Sequence, residues 1–132
     1  MTSTVEYSFD RPIPIEALKV LFLQTTWARD RNEDDIAEII AKSAVQLGTW
    51  QENRLVGYAR VLTDGRFRAL IDDVIVDETC RGRGLGREIM EHLLVRLTRV
   101  EEVFLLANES MALYYEHLGF TRTAANCLMW PK

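Results

Sequence analysis

Cysteine is scarce in this chain. There are two, Cys80 and Cys127, with no Cys-x-x-Cys pair, and the two histidines, His92 and His117, are not clustered with them. That excludes a disulfide framework and a thiolate–imidazole metal site, and it is the pattern of a reduced, cytosolic protein. Long apolar runs are also missing: none approaches the roughly 20 residues that cross a bilayer, so no membrane partner is expected. Residues 1–10 have neither a basic leader nor an apolar core, so no signal peptide is read there. A basic excess is absent too. Lys and Arg number 16 against 20 Asp and Glu, for a net charge of −4, and nonspecific nucleic-acid binding is not expected. With three prolines and seven glycines, the chain has no linker, repeat or low-complexity tract.

What is present is an ordinary globular composition, 48% hydrophobic and 27% charged over 132 residues. Residues 1–132 therefore read as one domain, large enough to bury a core without covalent staples. Alternation predicts a first strand over 5–9. Ile15, Leu18, Leu21 and Phe22 share one helical face after Pro14, and residues 34–42 predict a second helix with Ile36, Ile39 and Ile40 inward. Strands follow at 45–50, 55–62 and 67–76, separated by polar turns at 51–54 and 63–66. A helix over 84–97 stacks Leu85, Ile89, Leu93 and Leu97, with His92 on its solvated side. A strand at 103–106, a helix at 110–118 capped by Gly119, and closing strands at 120–123 and 128–130 complete the chain. Hairpins first and βαβ units later predict an α/β fold: one central mixed sheet with helices on both faces.

The chemistry concentrates at 74–87. An apolar strand end, Val74-Ile75-Val76, leads into Arg81-Gly82-Arg83-Gly84-Leu85-Gly86-Arg87 and then a helix. Free N–H groups at a helix N-terminus, glycines that admit close backbone approach and forked guanidinium donors make an anion site suited to a pyrophosphate. Two familiar phosphate loops do not fit. Gly86 is followed by Arg87-Glu88 rather than Lys-Ser/Thr, and no third glycine stands at the dinucleotide-fingerprint position. A second cluster runs Asn108-Glu109-Ser110-Met111-Ala112-Leu113-Tyr114-Tyr115-Glu116-His117-Leu118-Gly119-Phe120. By residue type alone, Asn108 also reads as a helix cap, and Tyr114 and Tyr115 as packing aromatics.

Arg81-x-x-Gly84-x-Gly86 directly after a β-branched strand resembles the acyl-CoA loop of the GNAT N-acetyltransferase superfamily. The 108–120 cluster resembles that family's second signature, and the two come in the expected order. Features around Trp27, residues 55–60, 71–74 and 129–131 are similar to its plastid and cyanobacterial branch, which includes serotonin and arylalkylamine N-acetyltransferases. The resemblance implies acetyl-CoA as co-substrate, no metal, a small-molecule or protein amine as acceptor, and a homodimer. It implies that Arg81, Gly82, Arg83, Gly84, Leu85, Gly86 and Arg87 hold the pyrophosphate. Val74, Ile75 and Val76 would pair with the pantetheine arm, Asn108 would contact that arm, and an amide near Ile75 or Val76 would polarise the thioester. Tyr115 takes the place of the family's general acid, its phenol pKa of ~10 lying close to that of a thiol.

The base is open. Asp72 and Asp73 are adjacent on a strand, so they are expected on opposite faces with at most one toward the acceptor. Asp73 is the candidate, beside deprotonation relayed by water. Trp27, Trp50, Tyr58 and Trp130 are candidates for an aromatic-amine pocket. Two other classes compete: a non-catalytic acyl-CoA-binding sensor on the same fold, and a nucleotide-binding regulator, which the failed phosphate-loop tests disfavour.

Overall fold

A computed structural model describes residues 4–132; residues 1–3 of the stretch 1–10 read above lie outside the described residues. The elements are β1 (Val5–Ser8), α1 (Ile15–Phe22), α2 (Glu33–Lys42), β2 (Val45–Gln51), β3 (Arg54–Thr63), β4 (Arg68–Val76), α3 (Leu85–Arg96), β5 (Glu102–Leu105) and α4 (Glu109–His117). A single 3-10 turn, Glu78–Cys80, joins β4 to the loop before α3. The strands form one sheet in the order β1-β2-β3-β4-β5. Pairs are antiparallel up to β4, and β4 and β5 are parallel.

Local chemistry explains the boundaries. Asn32 caps α2 reciprocally: its Oδ1 accepts from the Asp35 N–H at 2.8 Å, and the Asp35 carboxylate accepts from the Asn32 N–H at 2.9 Å. The β3–β4 turn closes on Asp64, whose Oδ1 accepts from the Arg66 and Phe67 N–H groups at 2.9 and 2.8 Å. These bonds hold the Asp64 carboxyl below its ordinary range.

The two sheet faces carry separate cores. Leu18, Leu21, Phe22 and Ile36 from α1 and α2 pack with Trp50, Tyr58 and Ile75 on one face. Ile89, Met90, Leu93 and Leu97 from the α3 segment cover Leu47, Ala59, Val61 and Ile71 on the other. Alternate residues of β3 thus serve opposite cores, as a central strand with helices on both sides requires. His92 is exposed, as expected of its position, and its ring stacks on Tyr7 with centroids 4.6 Å apart.

The two closing strands do not form: 120–132 holds neither helix nor strand. Phe120 packs edge-on against Tyr115, and Arg122 bonds to Glu109 and Glu116, which ties the start of the segment to α4. Beyond it, Leu128, Met129 and Trp130 are more than 80% exposed. Strand propensity reports fit to a half-buried pleated surface, and this segment does not pair with the sheet, although the outer edge of β5 is open.

Leu93 is fully buried between α3 and the sheet. Leu93→Ala is expected to cost about 2–5 kcal/mol of unfolding free energy, read from urea melts followed by circular dichroism. A loss below about 1 kcal/mol would contradict the packing described.

Candidate active site

β4 and β5 pair only from Arg68↔Glu102 to Ile71↔Leu105. Beyond Ile71, β4 continues to Val76 with β3 on one side and no strand on the other. This parting opens a cleft of about 1270 Å³ between the end of β4, the α3 loop, the α1–α2 connector and α4. Val74, Ile75 and Val76 line it, as do Arg81, Gly82, Gly84, Leu85, Gly86, Arg87, Asn108 and Tyr115. Arg83 does not line it; its guanidinium turns back to the Thr79 carbonyl at 3.4 Å.

The loop has the properties of an anion cradle. Gly82 and Gly84 sit at φ +79° and +82°, in the left-handed region, with nothing near the position of a Cβ. At these two places glycine serves backbone conformation, where a side chain would be strained. Gly84 is the N-cap of α3, and its carbonyl accepts the first helical bond, from the Glu88 N–H at 3.1 Å. The N–H groups of the first helical residues, Leu85 to Arg87, therefore have no intrahelical acceptor. Arg81 donates to the Val76 carbonyl at 3.1 Å, and none of Arg81, Arg83 and Arg87 has a carboxylate partner among the described residues.

Beneath the loop, Asp77 accepts from the Thr79 N–H and hydroxyl at 2.9 and 2.6 Å, from Gln24 at 3.1 Å, and pairs with Arg54 at 2.9 Å. Burial alone would raise its carboxyl, but these donors hold it at about 2. Cys80 is buried against Val56 and Leu85.

Gly86 meets a different constraint. A Cβ there would lie 2.5 Å from the Tyr114 hydroxyl, so the phenol of Tyr114 rests over the first turn of α3. Tyr114 was expected to pack in the core; it is instead 38% exposed and lines the cleft. Tyr115 lies between Tyr114 and Phe120, with ring centroids 5.3 and 5.8 Å away. Burial, with a smaller contribution from Tyr114, pushes its phenol up to about 12 rather than near the ordinary value. Asn108 caps α4, its Oδ1 accepting from the Met111 N–H at 3.0 Å and the Ser110 hydroxyl at 2.8 Å. Its amide NH2 has no partner among the described residues.

Asp72 and Asp73 depart from strand alternation. The β3–β4 register shifts between Tyr58 and Arg60, and Asp73 takes a left-handed φ of +51°. The bulge lets both carboxylates reach one guanidinium: Arg60 Nε is 2.6 Å from Asp73, and Arg60 Nη2 is 3.3 Å from Asp72. Asp73 is buried, also pairs with Arg31 at 2.8 Å, and accepts from the Trp27 indole N–H at 3.3 Å. A carboxylate held by two guanidiniums and an indole has little lone-pair capacity left for an amine proton, which argues against the expected base. Arg31 and Arg60 were not foreseen; basic residues facing an acidic pair across a bulge are visible only once the strands are registered. Among the described residues there is no cluster able to hold a metal ion, and no helix is long and apolar enough to cross a membrane.

A model of the acetyltransferase (GNAT) family matches residues 14–120. The chain belongs to the GNAT acetyltransferase family. It is 29% identical to a ycf52-like N-acetyltransferase of Prochlorococcus marinus over 96% of this chain and 74% of that one. It is 32% identical to the chloroplastic serotonin N-acetyltransferase 2 of Oryza sativa over 82% of this chain, which spans only 56% of the rice protein. A GNAT family acetyltransferase of Streptococcus pneumoniae superposes with a TM-score of 0.84 at 19% identity, covering 98% of both chains, a likeness of fold. The mixed five-stranded sheet with helices on both faces is thus the GNAT fold.

Gly84→Val is expected to leave far-UV circular dichroism unchanged and to weaken coenzyme A binding at least tenfold by calorimetry. A β-branched side chain cannot take the backbone conformation that aims the loop amides. Unchanged affinity in a folded variant would contradict the cradle.

Proposed function

We propose that this GNAT chain is one acetyltransferase domain that moves the acetyl group of acetyl-CoA to a primary amine by direct attack on the thioester. The observation that carries the reading is the opening of β4 beside a loop with three guanidiniums free of carboxylates and unpaired helix-terminal amides. Arg81, Gly82, Gly84, Leu85, Gly86 and Arg87 bind the pyrophosphate, with Arg83 adding charge at the rim. The amide-rich pantetheine arm lies along Val74, Ile75 and Val76, and Asn108 reaches it with its free NH2. An amide near Ile75 or Val76 donates to the thioester carbonyl, where negative charge grows in the transition state.

In the step itself the amine nitrogen forms a bond to the acetyl carbon and the carbon–sulfur bond breaks. The amine proton leaves through water, because Asp73 is occupied by Arg31 and Arg60. The thiolate takes its proton from Tyr115. A phenol at about 12 is a weaker acid than free tyrosine, yet it stays protonated at every working pH, so it is always available as a donor. Tyr115 first stabilises the departing sulfur by hydrogen bonding, gives up its proton as charge builds there, and regains one from the water that carried off the amine proton.

We also infer a homodimer and a cytoplasmic setting. The outer edge of β5 and the apolar residues Leu128, Met129 and Trp130 are uncovered in the single chain, which supports a partner copy. Two free cysteines fit a reducing compartment. The acceptor is a small-molecule or protein amine.

The test compares Tyr115→Phe and Tyr114→Phe with one active amine. Tyr115→Phe should lower kcat at least about tenfold with acetyl-CoA affinity nearly unchanged, because the phenol acts in the transition state. Equal, small effects at both positions would reject Tyr115 as the acid, and a parent protein that binds coenzyme A without turnover would favour the sensor reading. Because Tyr115 titrates near 12, kcat should show no downward limb between pH 8 and about pH 10. Such a limb, abolished in Tyr115→Phe, would contradict the burial of this phenol.

A further inference from the structure

Three glycines stand in the α3 loop, and the third does not serve backbone conformation. Gly82 and Gly84 take a left-handed φ; Gly86 is a residue of α3 and does not. Glycine is a poorer helix former than alanine, so its place inside α3 has another cause. That cause is steric. A Cβ on Gly86 would lie 2.5 Å from Tyr114 Oη, 3.6 Å from Tyr114 Cζ and 4.0 Å from Val76 Cγ2. The first distance is closer than real Cβ contacts come, and the other two are ordinary van der Waals separations. The space of the missing side chain is therefore taken by one atom of α4, the phenol oxygen of Tyr114. It sits where α3, α4 and the freed end of β4 meet.

α4 has few other anchors. None of its nine residues is fully buried. Tyr115 and Leu118 pack on the α3-side core, and Arg122 ties α4 only to the segment that follows it. Tyr114 and Tyr115 are neighbours with ring centroids 5.3 Å apart, edge to face, so close packing passes a push on one ring to the other. Asn108, which caps α4, and Tyr115 both line the cleft. The seating of this one helix against α3 thus places both groups at once.

We propose that Tyr114 is a positioning residue, and that its phenol, seated in the gap left by Gly86, registers α4 on the donor loop and so places Tyr115 and Asn108. The proposal rests on the acetyl-transfer reading only in calling Tyr115 the acid. Gly86→Ala, Tyr114→Phe and the double variant form a cycle that isolates the contact. Gly86→Ala alone must push the phenol out. Amide hydrogen exchange in residues 109–117 should then quicken at least about fivefold. With it kcat should fall at least about tenfold, since displacement of a reacting group by about 1 Å is costly. Tyr114→Phe removes only the seated oxygen, keeps the ring over the gap and should change kcat by less than about threefold. In the double variant the new methyl meets Cζ at 3.6 Å, an ordinary contact. Exchange and kcat should there return to within about threefold of Tyr114→Phe. Tyr114→Ala empties the gap and should quicken exchange as Gly86→Ala does.

A Gly86→Ala protein that fails to fold while the double variant folds supports the seat equally. Failure of both to fold would overturn it. If glycine at 86 serves instead to admit a phosphate, the methyl harms coenzyme A binding whatever stands at 114. A loss of coenzyme A affinity by calorimetry that persists undiminished in the Tyr114→Phe background would therefore overturn the proposal, as would unchanged exchange and kcat in Gly86→Ala. Should Tyr115→Phe keep full kcat, the acid reading falls, and the exchange cycle still decides the seat.

Discussion

The parting of β4 from β5 after Ile71 is the constraint on which the rest of the molecule depends. A parallel pair that stayed in register would cover the end of β4 on both sides and leave no cleft. Here the strand turns at Asp73, which adopts a left-handed backbone that disfavours a non-glycine residue by about 1–2 kcal/mol. Arg31, Arg60 and Trp27 converge on its side chain and hold that conformation. Strain of this kind persists only where the surroundings over-determine it, and it gathers at functional sites. The bulge frees Val74 to Val76 from β5, aligns them with the α3 loop and fixes the connector that carries Trp27.

Charge is arranged to the same end. The chain carries a net charge of −4, and six of its thirteen arginines meet carboxylates, among them Arg11 with Glu6, Arg54 with Asp77, Arg68 with Glu101 and Glu102, and Arg122 with Glu109 and Glu116. The three guanidiniums of the α3 loop have no such partner, which makes the loop a positive spot on an acidic surface and steers an anionic ligand to one place. Asp77 anchors that loop from below. Its carboxyl lies at about 2 in the fold against an ordinary 3.8, so it stabilises the native state above about pH 4, and that contribution fades as pH falls toward 2.

Much of this was legible in the residues. The α1 and α3 stripes, the Asn108 cap, two tight turns and the glycine–arginine loop each follow from local chemistry, and they place the β4–loop–α3 unit correctly. Three features did not follow. The segment after Gly119 has strand propensity but pairs with no strand, although the β5 edge is open, and propensity cannot report whether a pairing forms. Asp72 and Asp73 were assigned to opposite faces by alternation, which a one-residue bulge cancels. Tyr114 and Tyr115 are adjacent, and only the helix packing shows that Tyr114 rests over Gly86 while Tyr115 sits deeper. Each failure concerns a non-local contact, and two of the three lie at the cleft, where function overrides local preference.

The central claim is that the backbone of the α3 loop and the freed end of β4 form the donor site together. Amide chemical shifts followed while coenzyme A is titrated into the labelled protein test it most directly. The expected result is that the largest shifts fall on Gly82, Gly84, Gly86 and Arg87 and on Val74 to Val76, with α2 and the β1–β2 edge unmoved. Saturable shifts confined to another surface, or no shifts at millimolar coenzyme A, would contradict it.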